Sequence, residues 1–319
     1  MDYVAGLFGG ENIVCWISDI NGRVLSKSER TGSRYKRDGT AALKEAIGEV
    51  FFRAAKPLGI KRVRTISICL PDIDTPNDEM AVTNIALGLN VADNVLVYND
   101  SVALFFGAIA PEGSTAEGVV VIGDLGAVAF GMNRNGKIAR AGGWEFFLSD
   151  EGSVYWIAKR ALRDAMKSYD GRGEKTTLEK ALVEHFEVED ARGFVDMFYS
   201  GKLGQRELVS VFNAVVKEAG AGDATAVTIM NNAVKELALH AKSVIKALGF
   251  DKKAFEIALR GMVFDALKEL DMMKDFESEI KSVGENASFI EGRYEPIYGA
   301  LALALERETG KFVVPEAKP

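Results

Sequence analysis

The sequence is poor in the residues that cross-link a fold or bind metal. It has two cysteines and two histidines in 319 residues. Cys15 and Cys69 lie in apolar, strand-like runs and read as reduced core thiols, not as a disulfide. His185 and His240 stand far from the cysteines and from each other, so no zinc or iron–sulfur spacing arises. No apolar run approaches the ~20 residues of a membrane helix. The start, Met1-Asp2, lacks a basic segment followed by an apolar one, so no leader is expected. Basic charge is also short. The net charge of −7 argues against non-specific binding to nucleic acid or an anionic membrane. The expectation is a soluble, cytoplasmic protein whose partner is a small molecule.

What is present is apolar and ordered by period. Hydrophobic residues make up 48% of the chain and charged residues 27%, enough for more core than one domain usually holds. Val4 to Leu7 and Ile13 to Ser18 are short apolar runs, and Asn21-Gly22 is a hairpin turn leading to a return strand at Arg23 to Leu25. Ala41 to Ala55 has helical periodicity, with Leu43, Ile47, Val50 and Phe51 on one stripe. Val63 to Leu70 reads as a buried strand ended by Pro71. Asn94 to Tyr98 is another strand, followed by Asn99-Asp100 and a small apolar helix from Val102 to Ala110. Strands alternating with helices imply an α/β domain with a largely parallel sheet.

A second cycle opens at Gly118 to Ile122, continues at Ala127 to Met132 and turns at Asn135-Gly136 into Lys137 to Arg140. The repeated order is a weak internal duplication. Residues from Ser153 to about Leu248 read as nearly all helical. The clearest helix starts after Asp223 and stops at Gly249, as capping rules require. Its stripe is Val227, Met230, Val234, Leu237, Ala241, Val244 and Leu248. Ile257 to Leu259 is a late strand and Ile297 to Leu305 a small-residue helix. The tail after Gly310 is expected to be loose. The turn-rich Pro111-Glu112-Gly113-Ser114 marks the joint between the two cycles, and a cleft between two lobes is a usual place for a ligand.

The richest stretch runs from Ala141-Gly142-Gly143-Trp144 to Leu148-Ser149-Asp150-Glu151-Gly152-Ser153-Val154-Tyr155-Trp156. Paired glycines let backbone approach a ligand closely. Asp150 and Glu151 sit where a helix begins, so their carboxylates can accept hydroxyl hydrogen bonds and suit the positive helix end; Ser153 can cap that helix. The same residues also read as a turn and a capped helix with two core tryptophans. Asn99-Asp100, at the end of a strand, is the second candidate. A carboxylate there faces the crevice where α/β sheets bind ligands, or Asp100 or Ser101 simply caps the helix.

The stretch at 141–156 resembles the GGWG…GDEGS-YWI segment of the BadF/BadG/BcrA/BcrD family, and the likeness continues through Ile157, Lys159, Arg160, Ala161 and Leu162. That family includes N-acetylglucosamine kinases and an archaeal-type hexokinase, within the actin/hexokinase/chaperone superfamily. Glu295-Pro296-Ile297-Tyr298-Gly299-Ala300 is similar to the opening of its last helix. The resemblance implies a two-lobed α/β, actin/hexokinase-like (ribonuclease H-like) fold with an internal duplication. Residues 1–110, joined by the C-terminal helix at about 296–319, would form the first lobe. Residues 111–295 would form the second, with a mainly helical insertion over 153–248. It also implies that Gly143, Trp144 and Asp150 contact a sugar and that Asp100 is the general base on the attacking hydroxyl, a role phosphoryl transfer requires.

The nucleotide side departs from the family pattern. In its first phosphate segment, D-x-G-G-T or similar, the Asp orients magnesium and the Thr touches phosphate. Here the run is Leu7-Phe8-Gly9-Gly10-Glu11-Asn12: Gly9 and Gly10 remain, Leu7 replaces the Asp and Glu11 the Thr. The second, A-G-T-G-S, corresponds to Gly123-Asp124-Leu125-Gly126-Ala127. Only Gly126 survives, and Asp124 is a substitute magnesium ligand, since a hard cation takes carboxylate oxygen. The nucleoside segment reads Arg260-Gly261-Met262-Val263-Phe264, keeping Gly261. A sugar-contacting Asn falls at Arg34, which reads either as a partner for an anionic substrate or as a solvated member of a basic loop with Arg30, Lys36 and Arg37.

Two functions follow from the resemblance. One is an ATP- and Mg2+-dependent kinase of a hexose, an N-acetylglucosamine-type sugar or a sugar acid such as 2-keto-3-deoxygluconate. The other is a non-catalytic relative that binds a sugar or a protein partner. The iron–sulfur activator ATPases of the superfamily are set aside, because both cysteines lie in strands. A homodimer is an analogy only.

Overall fold

The computed structural model describes residues 2–10, 12–109 and 116–316. The chain divides into two compact units, one formed by residues 1–120, 132–137 and 290–319, the other by residues 121–131 and 138–289. The expected joint at Pro111-Glu112-Gly113-Ser114 lies outside the described residues.

The first unit is built on a five-stranded sheet: β1 (Tyr3–Gly9), β2 (Asn12–Asp19), β3 (Val24–Thr31), β4 (Val63–Leu70) and β5 (Ala92–Asn99), in the order β3-β2-β1-β4-β5. β1, β4 and β5 are parallel and β2 and β3 return antiparallel. Helices cover both faces, so strand residues are apolar on both sides. Under one face, α1 (Tyr35–Ala55) and α2 (Pro76–Leu89) bury Leu43, Ile47, Val50, Phe51 and Val82 against Leu7, Ile13, Ile66 and Ile68. The opposite face takes α3 (Asp100–Ile109) and α11 (Pro296–Thr309), which bury Ala103, Ala300, Leu301 and Leu305. Small residues set that packing distance. A Cβ on Gly6 would collide with the Leu301 backbone and one on Gly299 with the Ala103 carbonyl.

α2 has a full capping box between Thr75 and Asp78 with Pro76 in its first turn, a start signal passed over in the sequence. The tail is held rather than loose. Glu316 N–H donates to the Gly22 carbonyl at 2.8 Å, and Val24 N–H donates to the Glu316 carbonyl at 3.0 Å.

The second sheet comprises β6 (Gly118–Gly123), β7 (Ala127–Met132), β8 (Ile138–Gly142), β9 (Phe255–Arg260) and β10 (Ala287–Ile290), ordered β10-β9-β6-β7-β8. Read from its other edge, this is the order of the first sheet, so the duplication inferred from turns and strands is a duplication of topology. Between β8 and β9 lie α4 (Val154–Asp170), α5 (Thr177–His185), α6 (Gly193–Tyr199), α7 (Gln205–Gly220) and α8 (Ala224–Leu248); α9 (Met262–Glu269) and α10 (Met273–Lys281) follow β9. Asp223 caps α8, accepting from Ala226 N–H, and Gly249 ends it in the left-handed conformation. The predicted stripe is buried from Met230 to Leu248. Among the described residues no helix is long and apolar enough to cross a membrane. Both cysteines are buried and unpaired, and burial pushes each thiol up to about 12.

Candidate active site

In the first unit the candidate residues collect at the carboxyl ends of the three parallel strands. Gly9 ends β1 and Gly10 follows it, Asp72 follows β4, and Asn99 ends β5 with Asp100 next. The strand register aligns these ends, pairing Phe8 with Cys69 and Leu70 with Asn99. Leu7, which stands where the resemblance puts a metal-orienting aspartate, is fully buried in the core beneath α1. Gly9 fits under the Leu70 side chain, whereas the nearest atom to a Cβ on Gly10 would be 4.0 Å away. Glu11 lies outside the described residues.

Asn99 performs the capping that Asp100 or Ser101 was weighed for. Its Oδ1 accepts from Ser101 N–H (3.1 Å) and from Ser101 Oγ (2.6 Å). Its Nδ2 donates to Asp74 at 3.4 Å, and Asp74 in turn pairs with Lys36 at 3.2 Å. Asp100 is therefore presented at the first position of α3 by a neighbour whose own side chain is fixed.

Arg34 is engaged by a residue that sequence reasoning did not single out. Its Nε donates to Asp72 Oδ2 at 3.0 Å and its Nη2 donates to Oδ1, a two-pronged pair. Asp72 is buried and has φ of 70°. Its burial and its positive φ are features that sequence does not display.

The second unit gathers the richest sequence motif around Asp150. The β6–β7 turn is closed by Asp124 N–H donating to the Gly126 carbonyl at 2.9 Å, and Leu125 N–H donates to the Asp124 carboxylate at 2.9 Å. Val154 N–H donates to the Asp124 carbonyl at 2.9 Å, joining this turn to the start of α4. Ser153 caps α4, accepting from Trp156 N–H at 3.1 Å. A Cβ on Gly126 would stand 3.1 Å from Asp150 Oδ2, and one on Gly261 would strike the Gly123 carbonyl. The two nucleotide-type glycines, Asp124 and Asp150 thus form one cluster, from three segments distant in sequence.

Asp150 is 7% exposed, has φ of 65°, and its Oδ1 has no hydrogen-bond partner. Burial pushes its carboxyl up to about 6; N–H groups of Ala127 and Gly143 oppose the rise, and the charges of Glu145 and Glu151 add to it. Glu145, with φ of 76°, is a second left-handed non-glycine residue in the same loop. Each such residue costs about 1–3 kcal/mol and persists where the surroundings impose it. Gly142 and Gly143 have φ of 77° and 73°, a backbone shape that glycine adopts without strain. Trp144 is 46% exposed, which removes its reading as a core residue. Arg140 stacks over its ring at 4.3 Å and donates to the Gly142 and Gly143 carbonyls.

Two further features were missed. His240, on α8, lies against Gly142 and within 3.8 Å of Glu151. A cavity of about 630 Å³ lies between α7 and α9, bounded by Phe212, Val216, Lys217, Met262 and Asp265. Its two walls come from segments ~50 residues apart, beyond the reach of motif reading. Among the described residues no group of three or more His, Cys, Asp or Glu can hold a metal by itself.

Two sheets of matching order, helices on both faces of the first and a helical insertion in the second, define an actin/hexokinase-like fold. The model of the BadF/BadG/BcrA/BcrD ATPase family matches residues 8–304, and the chain belongs to that family. The N-acetylmuramic acid/N-acetylglucosamine kinase of Clostridium acetobutylicum is 26% identical over 307 residues, covering 95% of this chain and 98% of the relative. The N-acetyl-D-glucosamine kinase of Dictyostelium discoideum is 29% identical over 326 residues, covering 94% and 97%. A crystal structure from Chromobacterium violaceum, provisionally named an N-acetylglucosamine kinase, superposes with a TM-score of 0.74 at 19% identity, over 96% of this chain and 99% of that one.

Proposed function

We propose that this protein is an ATP-dependent kinase that phosphorylates a hydroxyl of a neutral sugar, an N-acetylated amino sugar being the first candidate. The observation that carries the reading is Asp150. A nine-tenths buried carboxylate with an unpartnered oxygen is costly unless a ligand completes it, and a sugar hydroxyl is the donor it lacks. Gly143 and Trp144 would line the same pocket. Asp100, at the end of β5, would orient and deprotonate the attacking hydroxyl. Both full-length relatives bear the names of amino-sugar kinases. A sugar acid is disfavoured, because the Arg34 fork that motivated it is matched to Asp72.

Gly126 and Gly261 would admit nucleotide backbone and phosphate, with the cavity between α7 and α9 taking the nucleoside; in the first unit Gly10, with no atom closer than 4.0 Å to a Cβ built on it, would leave room for phosphate beside Gly9. Magnesium delivered with nucleotide needs only one or two protein carboxylates, so the lone Asp124, already oriented by Leu125 N–H, fits that demand. The ion, when bound, would neutralise charge on the transferring phosphoryl group.

A coupled assay with magnesium ATP over N-acetylglucosamine, N-acetylmuramic acid, glucose and 2-keto-3-deoxygluconate tests the proposal. Turnover fastest on N-acetylglucosamine is expected; turnover fastest on either acid would overturn the neutral-sugar reading. Folded protein inactive on all four would overturn it and favour the second reading, a sugar-binding relative without phosphoryl transfer, for which buried Leu7 is the supporting observation. Calorimetry with magnesium ATP separates the two, since the second reading requires no nucleotide binding.

A further inference from the structure

We propose that His240 is a positioning residue that locks together the two substrate-facing segments of the second unit, resting on the reading of those segments as a sugar pocket. The ring comes from the middle of α8, inside the helical insertion, and is 9% exposed. It abuts Gly142: a Cβ there would lie 2.9 Å from His240 Cε1 and 3.0 Å from Nδ1. On its other side Nε2 is 3.8 Å from Glu151 Oε2. One side chain therefore touches both the Gly142-Gly143-Trp144 turn and the Asp150-Glu151-Gly152-Ser153 turn, which supply the proposed sugar contacts.

The polar atoms of the ring mark this contact as more than filler. Nδ1 is wholly buried and has no hydrogen-bond partner, an expensive arrangement for a residue that only fills space. Burial holds the imidazole below its ordinary range, against the pull of Glu151, so the ring is neutral at neutral pH with one nitrogen able to donate. With that proton on Nε2 it points at Glu151. At 3.8 Å the contact is too long for a hydrogen bond, and catalytic contacts commonly tighten only once substrate is present. Closing it draws the Glu151 backbone, and the adjoining Asp150, toward the turn that Gly142 anchors. Asp150 already receives the Gly143 N–H, so the two turns would close on the sugar as one piece.

The test compares His240→Gln, which keeps a donor for Glu151, with His240→Leu, which keeps volume alone. The positioning role predicts that Leu raises KM for N-acetylglucosamine at least tenfold with kcat changed less than threefold, while Gln stays within about threefold on both. Glu151→Leu should raise KM as His240→Leu does, and the double variant should be no worse than either single one. Equal KM for the Gln and Leu variants, both folded by thermal melting, would reduce His240 to packing and overturn the inference. As a readout that needs no turnover, the Gly142 and Gly143 amide resonances should shift in His240→Leu far more than in His240→Gln. If they do so in a protein that phosphorylates no sugar, the functional reading fails and the link between the turns stands; if both variants leave them unmoved, the link itself fails.

Discussion

The two sheets present equivalent turns, β1–β2 and β6–β7, and the turns have diverged in chemistry. Among the described residues of the first, Leu7 is sealed in the core, Gly9 is hemmed by Leu70 and Gly10 has open space. The second carries a carboxylate, Asp124, and touches Gly261 and Asp150. The duplicated fold thus kept its strand order in both copies, and among the described residues the second turn is where carboxylates gather. Backbone shape is set by glycines and strand register, which tolerate change around them. A charge persists only where solvent, a partner or a ligand compensates it.

The most disruptive change should be Asp150→Asn. Loss of a charged hydrogen bond to a sugar hydroxyl predicts a fall in kcat/KM of about a hundredfold. The same variant should be more stable. The folded carboxyl titrates near 6, above its unfolded value, so its stability contribution is present at low pH and lost as pH rises through 6. At pH 8 the ionised group costs about 2 kcal/mol, allowing for some access by water. Melts of the two proteins should differ by a few degrees at pH 8 and converge at pH 4; equal stability at both would remove the strained carboxylate from the account.

Leu7→Asp asks whether β1 can hold the carboxylate that the family pattern places there. Buried without a partner, the charge should cost about 4 kcal/mol in urea unfolding; a variant of native stability would show that Leu7 is not sealed. A paired substitution sharpens the contrast further. Gly261→Ala, at φ of 103° and against the Gly123 carbonyl, should cost about 2–4 kcal/mol and weaken ATP binding, whereas Gly10→Ala should stay within about 0.5 kcal/mol. A narrower effect is expected of Asp124→Asn, a rise of about tenfold in the magnesium concentration needed for half-maximal rate. An unchanged magnesium dependence would leave the second turn without its proposed ion.

Much of the fold was legible because local rules and burial agree. Asn21-Gly22 and Asn135-Gly136 turn where hairpin preferences place them, and Asp223 and Gly249 bound α8 because an unpaired helix end needs a side-chain acceptor first and a left-handed residue last. Elements that rely on distant partners were harder. β10 is four residues long and gains its definition from β9, and the tail after Gly310 is held by hydrogen bonds to the β2–β3 turn. In the candidate site the motif glycines and Asp150 were visible as residues, but their environment was not. Trp144 was as plausible in a core as at a surface until Arg140 was seen to stack on it.

Periodicity, turn chemistry and contiguous motifs were enough to establish most of the strand and helix order, the duplication and the family. Only the tertiary structure decided that Arg34 is matched to Asp72, that Asp150 is buried with an unpartnered oxygen, and that His240 bridges two turns. Those facts depend on which side chains are desolvated together. Desolvation is a property of packing between segments tens to hundreds of residues apart, and no local pattern records it.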